Sequence, residues 1–424
     1  MTVTTETTQT TRPTGTGQAC PAVETSAVFA SPHAHRRAWW GVAAAVFAIA
    51  WGGNEFTPLL VMYKQDGLPR TAVDLLLFYY VLGIVPAMLI GGPLSDRFGR
   101  RALLLPAPLI AATGSLLLAC GADSVPLLGL GRVLSGVALG LAMAVGGSWL
   151  KELSEPGRGP RRSAMSLTGG FAVGAGVAGV LAQWGPLPDV LPYVVNVTLC
   201  LGAAAWIADA PETVRTPDQP GRLRDDLRIS GLRTPRFRQV VLPTAVWVFA
   251  CSATAYAVLP SLMATEVPGA PIAFSALLTV VTLGCGFAIQ SAARRIDLPG
   301  TARASVVGLL LVIAGLLVAA FAFDVLTLWA ALLTTVVLGA GYGITLVAGL
   351  QEVDRMAGPR ELASLTAVFY SLAYLGFGLP ALLSFLSERF GFGYPVMYCA
   401  LAAVAAACLP FVLRNYREPH KREQ

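Results

Sequence analysis

Long unbroken apolar runs constrain this chain more than any other feature. About 20 consecutive apolar residues cross a bilayer as helix. Such runs lie at 38–63, 73–94, 102–120, 126–150, 163–184 and 190–208. A polar stretch follows, then six more runs at 239–263, 271–292, 303–322, 325–350, 362–386 and 394–413. The alternating ten-residue segments of a membrane barrel are missing from the pattern. Only 13% of the residues are charged, against about 25% in a soluble domain, too few to cover a water-facing surface. The expected fold is an all-α membrane protein of twelve transmembrane helices.

Charge placement orients it. With the N-terminus inside, Lys64, Arg70 and Arg389 fall outside and Arg132 falls within a span. The remaining Lys and Arg residues lie in tails and cytoplasmic loops, as the positive-inside rule requires. Both termini are therefore expected in the cytoplasm. The net charge of +6 needs no nucleic-acid partner, and the lipid bilayer is the partner the pattern demands. Seven scattered cysteines, six of them in apolar spans, read as small packing residues rather than a disulfide framework or metal site. Residues 1–36 are rich in Thr, Pro and Ala without periodicity and read as a disordered cytoplasmic tail. Residues 37–208 and 238–414 then form two six-helix bundles, joined by a cytoplasmic linker at 209–237 and followed by a tail at 415–424. Val46-Phe47-Ala48 precedes Pro58 by the spacing at which Val248-Phe249-Ala250 precedes Pro260, which makes the first and seventh helices equivalents in a duplicated plan. Two-half bundles hold substrate between halves that rock about it.

The second span runs into Gly92-Pro93-Leu94-Ser95-Asp96-Arg97-Phe98-Gly99-Arg100-Arg101. This resembles the signature loop of the major facilitator superfamily, in the position where that family carries it. Gly92 and Gly99 permit a tight turn. Asp96 can accept charge-assisted bonds and latch neighbouring helices, beside Arg97, Arg100 and Arg101. The counterpart around Gln290 to Gly300 keeps Arg294 and Arg295 but no aspartate in register, and reads as a degenerate latch. The resemblance, from about Trp39 to Arg414, implies the superfamily's fold and gradient-driven secondary transport. None of the three lysines follows a glycine as a P-loop requires, so no ATP hydrolysis by this chain, and no ATPase subunit, is expected. No HExxH or GxSxG motif supports a membrane hydrolase. The chain reads as a transporter, not an enzyme.

Glu55 and Arg132 are the two ionisable residues deep in the spans. A charge at a helix centre costs at least ~2.5–3.5 kcal/mol, so such groups pair or line water. Glu55 lies nine residues before Lys64 and Arg132 nine after Asp123, which puts both roughly 13 Å below the outer surface. The superfamily resemblance places the first and fourth helices on one central cavity. Gly131-Arg132-Val133-Leu134-Ser135-Gly136 resembles the fourth-helix motif of drug–proton antiporters, which often carry an acid on the first helix. The set is read as proton-coupling; a structural ion pair is the alternative. In the fifth span, Gly170, Gly174 and Gly179 resemble the glycine-rich antiporter motif, with Ala175 where its proline is expected; small residues four apart also let any two helices approach closely. Pro211-Glu212-Thr213 resembles a sugar-porter run common in the superfamily and carries little weight. Trp51, Asn54, Trp247, Tyr256 and Tyr342 are the candidate cavity residues, while Tyr370 and Tyr374 read as a packing face.

The leading reading is a monomeric, proton-coupled exporter of small lipophilic molecules in a bacterial cytoplasmic membrane, with the proton as coupling ion and no other cofactor. The alternative is a proton symporter importing a sugar or organic acid. A sugar porter needs a polar cavity, and the seventh, eighth and tenth spans carry little beyond Gln290.

Overall fold

The computed structural model describes residues 38–214, 230–298, 300–358 and 361–417. The N-terminal tail, most of the linker and the last residues of the C-terminal tail lie outside them. The described chain is all-helical apart from one isolated bridge between Thr301 and Arg417. The first half comprises α1 (Ala38–Gln65), α2 (Arg70–Phe98), α3 (Arg100–Ala119), α4 (Val125–Glu152), α5 (Gly159–Trp184) and α6 (Leu191–Ile207). The second comprises α7 (Phe237–Glu266), α8 (Pro271–Ile296), α9 (Arg303–Val325), α10 (Leu328–Met356), α11 (Leu362–Phe390) and α12 (Tyr394–Arg414). Among the described residues eleven of these are long and apolar enough to cross a membrane, and α6 is a shorter apolar helix.

Proline and glycine set the ends. Proline opens α4, α5, α6 and α12, where the missing N–H would have no helical acceptor anyway. Gly99, at φ 95°, ψ 154°, breaks α2 from α3 in a region open essentially to glycine. The halves repeat one packing device. In α2 against α4, Gly83 meets the Val133 carbonyl and Gly136 meets the Tyr80 carbonyl. In α8 against α10, Gly343 meets the Gly286 carbonyl. Any side chain at these points would drive the backbones apart, so the crossings are built on glycine.

The helices that separate the halves are irregular. α4 carries a π-helical turn at Ala142–Gly146 and α7 one at Thr254–Val258, while α11 narrows to a 3₁₀ turn at Leu375–Gly378. Such turns displace side chains from regular α spacing and gather at functional sites. All three lie on the space between the halves.

Candidate functional site

A cavity of about 1580 Å³ lies between the halves, larger than the ~300–1,000 Å³ of a closed ligand pocket. Its mouth carries Asp96, Arg97, Lys151, Arg294 and Asp354. The other end is shut by bonds between halves. Lys64 Nζ on α1 donates to Asp74 Oδ1 on α2 at 2.7 Å and to Ser261 Oγ on α7 at 2.9 Å. Ser384 on α11 donates to Asp74 Oδ2 at 2.5 Å, and Thr71 on α2 to Glu388 on α11 at 2.6 Å. Gln183 Oε1, at the end of α5, accepts the Ile272 and Ala273 N–H groups that open α8, at 2.9 and 3.2 Å. Of Gly170, Gly174 and Gly179 in α5, one belongs to this closure and two pack within the first half. A Cβ at Gly174 would stand 2.7 Å from the Trp51 backbone, and one at Gly170 would strike the Phe47 carbonyl, so both seat α5 on α1. Gly179 abuts Ala276 of α8, across the halves.

The cavity wall is aromatic. Of the sequence candidates, Asn54, Tyr256 and Tyr342 line it. Trp51 and Trp247 do not: both are buried inside their own halves, at 6% and 7% exposure. Tyr370 and Tyr374, expected to pack, line the cavity instead. Phe249 sits at the centre of the cluster, stacked on Tyr374 at 4.4 Å and on Phe377 at 5.1 Å, with Tyr342 at 6.0 Å. Phe249 and Tyr256 are seven apart on α7, and Tyr370, Tyr374 and Phe377 share one stripe of α11. Those spacings are visible in the sequence, but which stripe faces the other half is not, because both faces of these helices are apolar. Tyr80, Phe171 and Gln290 complete the wall.

Glu55 and Arg132 are not on that wall. Neighbouring residues on a helix point roughly 100° apart, so Asn54 faces the cavity while Glu55 faces into the first half. Glu55 is fully buried, its Oε1 within hydrogen-bond distance of Ser115 Oγ of α3, at 2.9 Å. Arg132, 1% exposed, donates to the Gly53 carbonyl at 3.3 Å. Its guanidinium lies 4.1 Å from the Tyr80 ring centre and 4.7 Å from that of Phe56, so Tyr80 stands between it and the cavity. The two groups that matching depth marked as a pair form no ion pair among the described residues, and Glu55 Oε2 and Arg132 Nε have no hydrogen-bond partner. Two desolvated cation–π faces, each worth about 2 kcal/mol, offset part of the cost of burying the guanidinium. Arg132 is held by these rings and the Gly53 carbonyl, with Glu55 close enough to attract it but not bonded to it.

The signature loop is a bonded unit. Asp96 Oδ1 accepts from Arg100 Nη1 at 2.5 Å, and Arg100 also reaches Ser95 at 2.6 Å and Glu152, at the end of α4, at 3.1 Å. Arg101 Nη2 donates to the Ala208 carbonyl at 2.6 Å. Glu212, given little weight from sequence, caps the start of α3: its carboxylate accepts the N–H groups of Arg100 and Arg101 at 3.0 and 2.9 Å, and those of Thr213 and Val214 at 2.9 and 3.0 Å. Burial alone would push this carboxyl up, yet the N–H groups of Val214, Arg101, Arg100 and Thr213 together hold it below the ordinary glutamate value. The second-half latch is not degenerate as expected. Asp297, beyond the register of Asp96, pairs with Arg355 at the end of α10. Arg355 also meets Glu352 at 3.1 Å, and Glu352 holds Arg236 at 2.5 and 2.8 Å. In the first half the loop supplies arginine to an acid on α4; here the loop supplies the acid to an arginine on α10. A search for the same residue type in register misses that exchange.

The sequence profile described as Major Facilitator Superfamily matches residues 40–379. The chain belongs to the major facilitator superfamily. Members of this superfamily and their neighbours in fold are transporters, and the chain is a multi-pass membrane transport protein, not an enzyme. It is similar to the gallate transporter of Pseudomonas putida, 34% identical over 122 residues; the match spans 28% of this chain and 26% of that protein, about a quarter of the relative's length. In fold it is similar to a POT family transporter solved in complex with 5-aminolevulinic acid, with a TM-score of 0.72, 12% identity and coverage of 90% of this chain and 96% of that one. It is also similar to a D-xylose–proton symporter, with a TM-score of 0.66 and 14% identity over 88% of this chain and 98% of that one. At these identities the likeness is one of fold: the superfamily's two-bundle architecture carries this cavity and its aromatic lining.

Proposed function

We propose that this superfamily member is a proton-coupled exporter of small, lipophilic, ring-bearing molecules, in the manner of the drug–proton antiporters. The observation that carries the reading is the cavity wall, a cluster of Phe249, Tyr256, Tyr342, Tyr374 and Phe377 with its charges confined to the mouth. Rings offer large apolar contact and tolerate varied partners, and tyrosine hydroxyls add polar anchors. In this reading all twelve helices span a bacterial cytoplasmic membrane and both termini are cytoplasmic. The Asp96 mouth then faces the cytoplasm, where an exporter collects substrate. Residues 37–208 and 238–414 rock as bundles about the linker at 209–237, and the chain works as a monomer. Glu55 carries the proton, and Arg132 is the cation within its field.

Inverted membrane vesicles given a lipophilic fluorescent dye from outside test this. An imposed pH gradient, acidic inside, should drive dye into the lumen, and a protonophore should abolish it. Dye uptake indifferent to the protonophore would end the proton-coupled reading. A second reading, import of an aromatic acid together with protons, is favoured by the segment matching the gallate transporter and by the mouth cations Arg97, Lys151 and Arg294. It is told apart by direction: gallate should then enter right-side-out vesicles when the outside is made acidic.

A further inference from the structure

Ser115 stands between two acceptors. Its hydroxyl oxygen is 2.9 Å from Glu55 Oε1 and 2.9 Å from Asn196 Oδ1, and a serine hydroxyl has one proton to give. The Asn196 amide cannot turn to help. Its Nδ2 donates to the Ala48 carbonyl of α1 at 2.8 Å, and a flip would set oxygen against oxygen there. The Cys200 thiol, 3.5 Å from Oδ1, supports the same orientation. Gly52 makes the fit, since a Cβ there would come within 2.7 Å of Asn196 Oδ1. Ser115 therefore gives its proton to Asn196, and its contact with Glu55 needs a proton from the carboxyl.

Two further observations agree. Glu55 is fully buried and its Oε2 makes no hydrogen bond; the Trp51 indole N–H, the donor beside the carboxyl, is likewise left without one. A bare oxygen on an ionised carboxylate is far less tolerable than the bare carbonyl of a neutral acid. Arg132 also makes no ion pair with it, being held by Tyr80, Phe56 and the Gly53 carbonyl.

We infer that Ser115 and Asn196 are positioning residues that hold Glu55 as a neutral acid in the state open at the Asp96 end, through a relay running from Glu55 O–H to Ser115, to Asn196, to the Ala48 carbonyl. The inference rests on reading Glu55 as the proton carrier. The other titratable groups facing Glu55 are Arg132 from α4, Tyr63 from α1, and Tyr193 and Cys200 from α6. The relay separates cargo from proton. Substrate meets the Asn54 face of α1, and the proton sits on a separate face, about 100° round the helix, against α3 and α6. Coupling then runs through the position of α1 and requires no competition for a shared contact. When α1 leaves α3 and α6, the acid loses its acceptor, and Arg132 is the cation available to the anion.

Infrared difference spectroscopy of the purified full-length protein in lipid nanodiscs at neutral pH reads this directly. Wild type minus Glu55→Gln should show a carboxylic acid carbonyl stretch. Ser115→Ala should move that band to higher wavenumber, and Ser115→Thr should return it. Only carboxylate stretches in the difference, or a band that ignores Ser115→Ala, would overturn the relay. If Ser115→Ala does not fold, the wild-type difference alone still decides the protonation state. A neutral band combined with proton-independent dye transport would leave the relay standing and remove the transport reading. Carboxylate bands combined with proton-driven transport would do the reverse.

Discussion

Tyr80 shows how one residue serves two compartments. One side of its ring covers the Arg132 guanidinium at 4.1 Å, and the residue also lines the cavity. Its buried hydroxyl has no hydrogen-bond partner, so the ring does the work. Tyr80→Phe is expected to leave the thermal unfolding midpoint in detergent almost unchanged. Tyr80→Leu removes the π face from a buried cation and should destabilise by about 2 kcal/mol; equal midpoints for the two variants would refute the cation–π account. At this scale the sequence was half legible. Glu55 and Arg132 stood out because deep charges are rare, and their burial follows from that. Their separation could not be read, because equal depth on two helices says nothing about which way each side chain points. Trp51 and Trp247 misled for the same reason: depth was known and azimuth was not.

Among the elements, the junction of α2, α3 and the chain after α6 shows what a loop motif does. Gly99 holds φ 95° and leaves room for Glu212, which a Cβ would strike. The Glu212 carboxylate then satisfies two free N–H groups at the start of α3, where a negative charge also suits the helix dipole. With its pKa held below the ordinary 4.5, Glu212 lends stability that is fully present above about that pH and fades as pH falls through the lower folded value. Thermal midpoints measured from neutral to strongly acidic pH should show it: Glu212→Gln should be less stable than wild type at neutral pH, with the gap closing in acid. A constant gap would mean the carboxylate's charge plays no part. The helices themselves were legible, since apolar runs of membrane length allow little else. The π turns in α4 and α7 and the 3₁₀ turn in α11 were not, because no local residue pattern distinguishes them from regular helix. The exchanged polarity of the second latch was hidden because Asp297 is close to Arg294 and Arg295 but its partner Arg355 lies on another helix.

At the level of the whole molecule, bonds close the Lys64 end and the cavity opens at the Asp96 end, which in the proposed mechanism is one state of an alternating pair. Lys64, Asp74, Ser261 and Ser384 join four helices from both halves, and all must part for the opposite state to form. The all-helical membrane fold was readable from the apolar runs, which the described helices follow, eleven of them long enough to cross a membrane and α6 shorter. Of the cavity residues expected from sequence, Asn54, Tyr256 and Tyr342 line the space and Trp51 and Trp247 do not, because composition says which side chains are available and not which way they face. In the proposed mechanism a proton carried on Glu55 drives transport. The most direct test is proton release from purified protein in detergent when a lipophilic dye is added, read by a pH indicator in weak buffer. Wild type should release protons on binding, and Glu55→Gln should bind dye with no release. Undiminished release from Glu55→Gln would contradict the account and place the coupling site on another residue.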